Sequence, residues 1–376
     1  MIPATLALIV WLYLVLAHGR FWQSGPELEP AVPTHSPDVD IVVPARDEAA
    51  TIGPVVESLL GQHYEGRFRL LLVDDDSSDT TAAVARAAAA GATAAGAAAG
   101  RTLEVISGRP KPPGWSGKLW AVSQGVAAGN APVLLLTDAD VVHDPRHLSA
   151  LVSRLESPRV DLVSEMVHLN CVSLAERALV PAFVYFFQML YPFARVNDPG
   201  SRVAAAAGGT VLLRREALER IGGIESIRGA LIDDVTLATA VKRGGAVYLG
   251  HSGLAASIRP YPGFADIGSM IARTAFTQLR YSLPLLVLTV AGLILVWWVP
   301  VGAAVWGAGW ARAAGVLAFS LSALSFLPTL ARYRRSSLWS LALPLIASFY
   351  IAATLGSAWT HWTGRGARWK NRDYGG

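Results

Sequence analysis

The sequence predicts an α/β domain with a mostly parallel sheet, set between apolar segments suited to a membrane. Three observations carry this. Short apolar runs alternate with helix-patterned segments from residue 39 to residue 137, charged clusters close three of those runs, and hydrophobicity concentrates toward the two ends of the 376-residue chain. Hydrophobic residues make up 52% of the sequence and charged residues only 16%, against about 25% charged in ordinary soluble domains. The single cysteine, Cys171, excludes an internal disulfide and offers no thiolate metal site. The formal net charge of +4 is modest. Basic residues cluster beside apolar segments rather than interleaving with aromatics, so no nucleic-acid partner is expected.

Residues 2–17 are nearly all apolar, with no basic residue before them and Arg20 after them. A cleaved secretory signal carries positive charge ahead of its apolar core. The reverse order favours a retained anchor over residues 1–20, with its C-terminal end in the cytoplasm. It falls slightly short of the roughly 20 residues that span a bilayer, so tilt or local thinning is implied. Residues 21–38, holding Pro26, Pro30, Pro33 and Pro37, read as a linker.

The alternation then begins. Residues 39–43 form an apolar run ending in Pro44-Ala45-Arg46-Asp47-Glu48, and 51–60 follow with helical spacing of Ile52, Val55, Val56, Leu59 and Leu60. A second run, 68–73, ends in Asp74-Asp75-Asp76-Ser77-Ser78-Asp79-Thr80. An alanine-rich helix starts near Thr81 and loosens into the Gly/Ala stretch 91–100, read as a loop. Residues 103–107 are a third run, 118–128 a helix, and 133–137 a fourth run ending in Asp138-Ala139-Asp140. A strand at 211–213 and a helix at 235–241 complete a domain expected over 39–260. Such alternation calls for a sheet covered on both faces, and open α/β sheets bind ligands beyond the carboxyl ends of their strands.

The C-terminal region carries three long apolar stretches, 283–306, 313–330 and 338–360. Arg332, Arg334 and Arg335 lie between the last two and place that loop in the cytoplasm. Three full crossings would then put the tail 363–376 outside, although Arg365, Arg368, Lys370 and Arg372 favour the inside. The two are reconciled if one segment is re-entrant or if the tail departs from the rule.

The acidic clusters suggest a chemistry. Asp138 and Asp140 flank one small residue after a buried strand, from where two carboxylates reach a metal and a ribose together. Mg²⁺ and Mn²⁺ prefer oxygen donors and bridge phosphate oxygens, so such an ion would neutralise a leaving diphosphate. Aspartate is equally at home in turns and helix caps; the neighbouring clusters favour the metal. Three adjacent carboxylates at 74–76 repel one another, and a ligand donating hydrogen bonds, such as a uracil ring or ribose hydroxyls, gives the excess a purpose. Asp79 suits a helix cap, and Glu48 suits a helix start by its charge. Lys118, after Trp115-Ser116-Gly117, is a candidate diphosphate contact or a solvated lysine. Asp233-Asp234 open a helix as caps or supply a general base. Gly208-Gly209-Thr210 permits close backbone approach or a tight turn. The eight histidines are scattered and suggest no zinc site.

These residues resemble family 2 glycosyltransferases, inverting enzymes with a GT-A fold, from about Asp40 to Tyr281. Val42-Val43-Pro44-Ala45-Arg46-Asp47-Glu48 looks like the family's opening nucleotide loop. Residues 73–80 resemble its V-D-D-G-S-x-D-x-T element, with Asp76 in place of glycine, which implies that Asp75 holds the uracil. Asp138-Ala139-Asp140 is similar to the D-x-D, which implies Asp140 as the principal metal ligand with Asp138 beside it. Residues 208–217 resemble the acceptor-side segment, and Asp233-Asp234 stand where Glu-Asp is typical, implying Asp234 as the base. Thr277-Gln278-Leu279-Arg280-Tyr281 resembles the Q-x-x-R-W element of membrane-bound members with threonine replacing glutamine. Arg280 is thereby a candidate counter-charge, and 261–282 an interfacial helix region.

With Trp115–Lys118 and the tail 369–374, the arrangement is most like the hopene-associated subgroup of bacteria. The resemblance implies transfer from a UDP-sugar to a lipid hydroxyl, dependent on Mg²⁺ or Mn²⁺, at the cytoplasmic face of a bacterial inner membrane. A processive polysaccharide synthase and a non-catalytic scaffold are the rival readings. Few crossings and the missing glutamine count against the first, and the intact acids Asp138, Asp140 and Asp234 against the second.

Overall fold

The computed structural model describes residues 1–94, 101–158 and 160–363, and the backbone of 368–369 and 372–373. In chain order its elements begin with α1 (Ile2–Leu16), β1 (Glu27–Leu28), β2 (Val39–Ala45), α2 (Ile52–Leu60), β3 (Phe68–Asp74) and α3 (Thr81–Ala94). Then come β4 (Thr102–Ser107), α4 (Gly117–Ala128), β5 (Val133–Thr137), β6 (Val141–His143), α5 (His147–Leu155), β7 (Val160–His168) and α6 (Leu174–Leu190). After α7 (Phe193–Val196) follow β8 (Thr210–Arg214), α8 (Arg215–Arg220), α9 (Asp233–Val241), β9 (Ala246–Ser257) and α10 (Phe264–Gln278). The C-terminal helices are α11 (Leu283–Leu293), α12 (Val299–Trp306), α13 (Trp310–Arg332) and α14 (Leu343–Trp362).

The chain divides into two compact units. One comprises Pro26–Asn170, Arg195–Pro260 and Arg368–Gly376. It holds a nine-stranded sheet in the order β1-β9-β7-β8-β5-β2-β3-β4, with β6 also paired to β9. Five of its eight strand pairings are parallel; β8 runs against β5 and β7, and β6 against β9. All seven residues of β2 are buried, as a central strand covered on both faces requires. Ile52, Val55, Val56, Leu59 and Leu60 form the buried stripe of α2, and they join Ile41, Val43, Leu70 and Leu72 in one core.

At the amino ends of β2 and β3, the buried Asp40 carboxylate accepts from Arg69 and Arg215, both at 3.0 Å, and from the Ala131 N–H at 2.7 Å. A buried charge is tolerated when it is paired and hydrogen-bonded in this way.

Two expectations about this unit change. Residues 26–38 are not a free linker, because β1 pairs in parallel with β9 through Glu27↔His251 and Leu28↔Ser252. The stretch 91–100, read as a loop, is helical as far as Ala94, following alanine's helix propensity over its single Gly91; residues 95–100 lie outside the described residues. Of the basic tail, β10 (Arg368–Trp369) pairs antiparallel with β11 (Arg372–Asp373), and Arg365 and Lys370 lie outside the described residues.

The second unit comprises Met1–Gly25, Cys171–Ala194 and Tyr261–Ala367. Among the described residues, three of its helical stretches are long and apolar enough to cross a membrane: Leu283–Trp306, Trp310–Arg332 and Ser337–Trp362. The first runs continuously through a π-helical turn at Ile294–Trp298. With 15 residues, α1 is shorter than these.

The expected 39–260 domain is interrupted, because α6 belongs to this helical unit. Tyr185 of α6 bonds Ser325 of α13 (2.6 Å), and the carbonyl of Leu179 accepts from Tyr350 of α14 (3.0 Å). Phe186 packs edge-on against Tyr350 and Trp297. Helix α6 starts at a capping box between Ser173 and Glu176, and the Glu176 carboxylate also accepts from the Tyr261 N–H (2.7 Å) at the approach to α10.

Candidate active site

Strands β5, β2, β3 and β4 are parallel neighbours, so their carboxyl ends share one edge of the sheet. The three charged clusters therefore meet there. Residues 46–48 follow β2, 74–76 close β3, and 138–140 follow β5.

Around β2 and β3 the acids are organised by one arginine and several hydroxyls. Asp75 is 1% exposed, and its N–H donates to the Ala45 carbonyl at 2.8 Å. Arg46 donates to the Asp75 carbonyl oxygen and lies 3.8 Å from the Asp75 carboxylate and 3.9 Å from that of Asp76. One guanidinium thus offsets the repulsion between consecutive acids. Asp47 accepts from the Ser78 N–H (2.7 Å) and hydroxyl (3.0 Å), while its own N–H donates to Ser77 Oγ (3.0 Å). It laces the loop after β2 to the loop after β3.

Both Asp47 (φ +50°) and Asp76 (φ +58°) adopt the left-handed conformation, which aspartate tolerates better than most residues and glycine best. That geometry explains why glycine suits the position Asp76 occupies. Asp79 accepts from the Thr81 N–H at 2.9 Å at the start of α3, in keeping with its expected capping role.

After β5 the two carboxylates have different partners. Lys118, in the first turn of α4, places Nζ 3.0 Å from Asp138 and 3.3 Å from Asp233. Burial pulls the Lys118 pKa down, but Asp138, Asp233 and, more weakly, Asp234 outweigh it and hold the ammonium well above its ordinary value. Asp140 is buried and accepts from Arg259 Nε at 2.5 Å; Arg259 Nη2 donates to Glu48 at 2.6 Å. Burial and the Asp138 carboxylate push the Asp140 carboxyl up, with Arg259 pulling it back. Glu48 also accepts from the Thr51 hydroxyl (3.1 Å) ahead of α2.

A cavity at this edge is lined by Pro44, Lys118, Asp138, Gly208, Asp233 and Asp234. Asp233 and Asp234 form the first turn of α9, where the helix dipole favours negative charge. Burial and the adjoining Asp233 carboxylate nonetheless push Asp234 up to about 7, against the opposing pull of Lys118 and of the Val235 and Gly208 N–H groups. A Cβ on Gly208 would sit 3.2 Å from Asp234 Oδ2 and 3.5 Å from Lys118 Nζ. The missing side chain is what lets this backbone approach the pair.

Among the described residues no group of three or more His, Cys, Asp or Glu side chains gathers as a metal cage. Asp138 and Asp140 fit a Mg²⁺-type ion all the same. Asp138 lines the cavity and Asp140 follows two residues on, and such ions are commonly held by one or two carboxylates plus substrate phosphates rather than by an all-protein shell.

Ten of the residues singled out from sequence thus share one sheet edge: Pro44, Arg46, Asp47, Glu48, Asp75, Lys118, Asp138, Asp140, Asp233 and Asp234. Arg280 belongs to the helical unit, at the turn between α10 and α11, with φ +52°. Arg259 was not among the sequence candidates. Its one signal is an arginine directly before Pro260 where a long strand ends.

Residues 40–222 match the profile of the family described as Glycosyl transferase family 2. No curated protein sequence matches the chain. Among solved structures, the chain is similar to the mannosyltransferase PcManGT from Pyrobaculum calidifontis, solved in complex with GDP-Man and Mn²⁺. The identity is 20%, the TM-score 0.56, and the match covers 95% of this chain and 99% of that one. A second similarity is to glucosyl-3-phosphoglycerate synthase from Mycobacterium tuberculosis, in complex with Mn²⁺, UDP-Glc and phosphoglyceric acid. Here the identity is 20%, the TM-score 0.41, and coverage 64% of this chain and 79% of that one. Residues 40–222 thus match glycosyl transferase family 2, and with the sheet topology above the chain has a GT-A α/β fold, with three helices apolar enough to span a membrane among the described residues.

Proposed function

We propose that the protein is an inverting, metal-dependent glycosyltransferase that moves a sugar from a UDP-sugar to the hydroxyl of a membrane lipid. A hopanoid-type acceptor is what the subgroup resemblance implies. The observation that carries the proposal is the Asp234 carboxyl, near 7, in one cavity with Asp138 and Lys118. A general base works best with a pKa near the operating pH. The acceptor oxygen bonds the anomeric carbon on the face opposite the leaving group. The bond from that carbon to the nucleoside diphosphate breaks, and the hydroxyl proton passes to Asp234.

Asp233 keeps Asp234 basic by repulsion and holds Lys118 in place. Lys118 supplies a fixed positive charge toward the departing diphosphate. Asp75, Arg46 and Asp47 receive the nucleoside, with Pro44 shaping the loop and Glu48 fixing Arg259. Asp140 and Asp138 would hold Mg²⁺ or Mn²⁺, which when bound neutralises diphosphate charge. Arg280 is proposed as a further counter-charge. The three apolar helices support a lipid acceptor and a multi-pass protein, and Arg332, Arg334 and Arg335 support a cytoplasmic catalytic domain in a bacterial inner membrane.

The base must be ionised to accept a proton, so its raised pKa has a definite sign. Turnover should be full about one pH unit or more above 7 and fall as pH drops through about 7. Asp234→Asn should lose roughly 10²–10⁴-fold in turnover while UDP affinity is kept. An Asp234→Asn variant with normal turnover, or with the same acid limb as wild type, would overturn the assignment.

A further inference from the structure

Behind the β5 edge lies a chain of buried polar side chains that the reaction above does not use. Glu165 (β7), His147 (α5) and His143 (β6) are 0%, 0% and 5% exposed. Glu165 bonds His147 Nε2. His147 Nδ1 is 2.8 Å from His143 Nδ1, and His143 Nε2 is 3.2 Å from the Thr137 hydroxyl. Thr137 is the last residue of β5, directly before Asp138.

The donors and acceptors fix a direction. Thr137 Oγ1 donates to the Gly209 carbonyl at 2.8 Å, so its oxygen accepts from His143 Nε2–H. Burial and then His147 hold the His143 pKa well below its ordinary value, so the ring is neutral and its Nδ1 accepts from His147 Nδ1–H. The remaining proton sits between His147 Nε2 and Glu165 Oε1. Glu165 Oε2 is buried without a hydrogen-bond partner, so this carboxyl is committed to His147. Tyr248 of β9, lying under the Arg154 guanidinium at 4.1 Å, is pushed up by burial, with the Glu165 charge adding to it.

The chain ends on a turn that belongs to the active site. The Gly209 carbonyl accepts from Thr137 Oγ1 and also from the Asp138 N–H at 3.3 Å. The neighbouring Gly208 N–H bonds Asp234. From the opposite face of β7, Ser164 Oγ accepts from the Ala207 N–H (2.8 Å) and lies 3.1 Å from the carbonyls of Ala207 and Thr210, which share its one hydroxyl hydrogen. Residues 207–210 are therefore clamped by two consecutive residues of one strand, with the histidine chain setting the distance to Asp138.

We propose that Glu165, His147, His143 and Thr137 are positioning residues that hold the Gly208–Gly209 turn against the general base. This rests on the assignment of Asp234 as that base. Loss of Glu165 leaves His147 without its terminal partner and loosens the turn. The Gly208 N–H then supports the Asp234 carboxylate less well, and its acidity falls.

The test compares Glu165→Leu with Glu165→Gln in membranes holding the full chain. Turnover is read with the labelled UDP-sugar that gives most product with wild type. Glu165→Leu should lose about 10–100-fold in kcat, as small misplacements of reacting groups do, with donor KM changed less than about threefold and the acid limb moved to higher pH. Glu165→Gln, able to donate to neutral His147 Nε2, should restore the wild-type limb and most of kcat.

A second measurement is independent of turnover: amide exchange over residues 204–210 should rise in Glu165→Leu and stay near wild type in Glu165→Gln. An unmoved limb, or parallel losses of kcat and donor affinity, or exchange that rises only around residues 147 and 165, would overturn the proposal. Failure of the base assignment shows separately, as an acid limb that survives Asp234→Asn in the otherwise wild-type chain.

Discussion

Arg259 occupies the place where a divalent ion is proposed to bind, since its guanidinium contacts both Asp140 and Glu48. An ion and this guanidinium compete for one carboxylate. Arg259→Met should therefore tighten Mn²⁺ binding in the absence of nucleotide by about tenfold, the scale of one charge-assisted hydrogen bond lost. Titration of free Mn²⁺ by its paramagnetic resonance signal checks this, and an unchanged affinity would mean that the ion does not use Asp140. The acids themselves were legible because carboxylates directly after apolar strands stand out in a sequence. Arg259 was not, because its partners lie 119 and 211 residues away. The same holds for Glu165 and the histidines, which read as scattered until β6, α5 and β7 bring them together.

At the scale of elements, the loop after β3 sets a conformational demand at Asp76. With φ +58°, glycine pays no steric cost there, while a β-branched residue meets a left-handed penalty of about 1–2 kcal/mol. Asp76→Gly should leave the thermal midpoint nearly unchanged, whereas Asp76→Val should lower stability by about 1–2 kcal/mol. Equal effects of the two in a denaturation experiment would show that the backbone strain is absent. The strands and helices of the sheet were legible from apolar runs and helical spacing; the strand expected at 133–137 coincides with β5. Helix α6 was read into the catalytic domain because it interrupts that domain in sequence. Its composition held the clue, with Glu176 and Arg177 as the only charged residues between Leu174 and Leu190. The pairing of β1 was illegible for another reason: two residues carry no period, and their partners lie in β9.

At the scale of the whole molecule, the three C-terminal apolar stretches were legible because length and hydropathy are local properties. The expected 283–306 coincides with the first stretch, and the other two extend by a few residues beyond 313–330 and 338–360. Sugar and acceptor were not legible, since they depend on cavity walls assembled from distant segments such as Gly208, Ile224 and Leu237. The central claim is metal-dependent transfer of a sugar to a lipid. The most direct measurement supplies labelled UDP-sugars, with GDP-mannose alongside, to membranes overexpressing the protein, with and without EDTA, and extracts the lipids. The account predicts a labelled lipid formed from a UDP-sugar that disappears with EDTA and returns with Mn²⁺ or Mg²⁺. Label that enters only polymer, or a lipid product indifferent to EDTA, would contradict it.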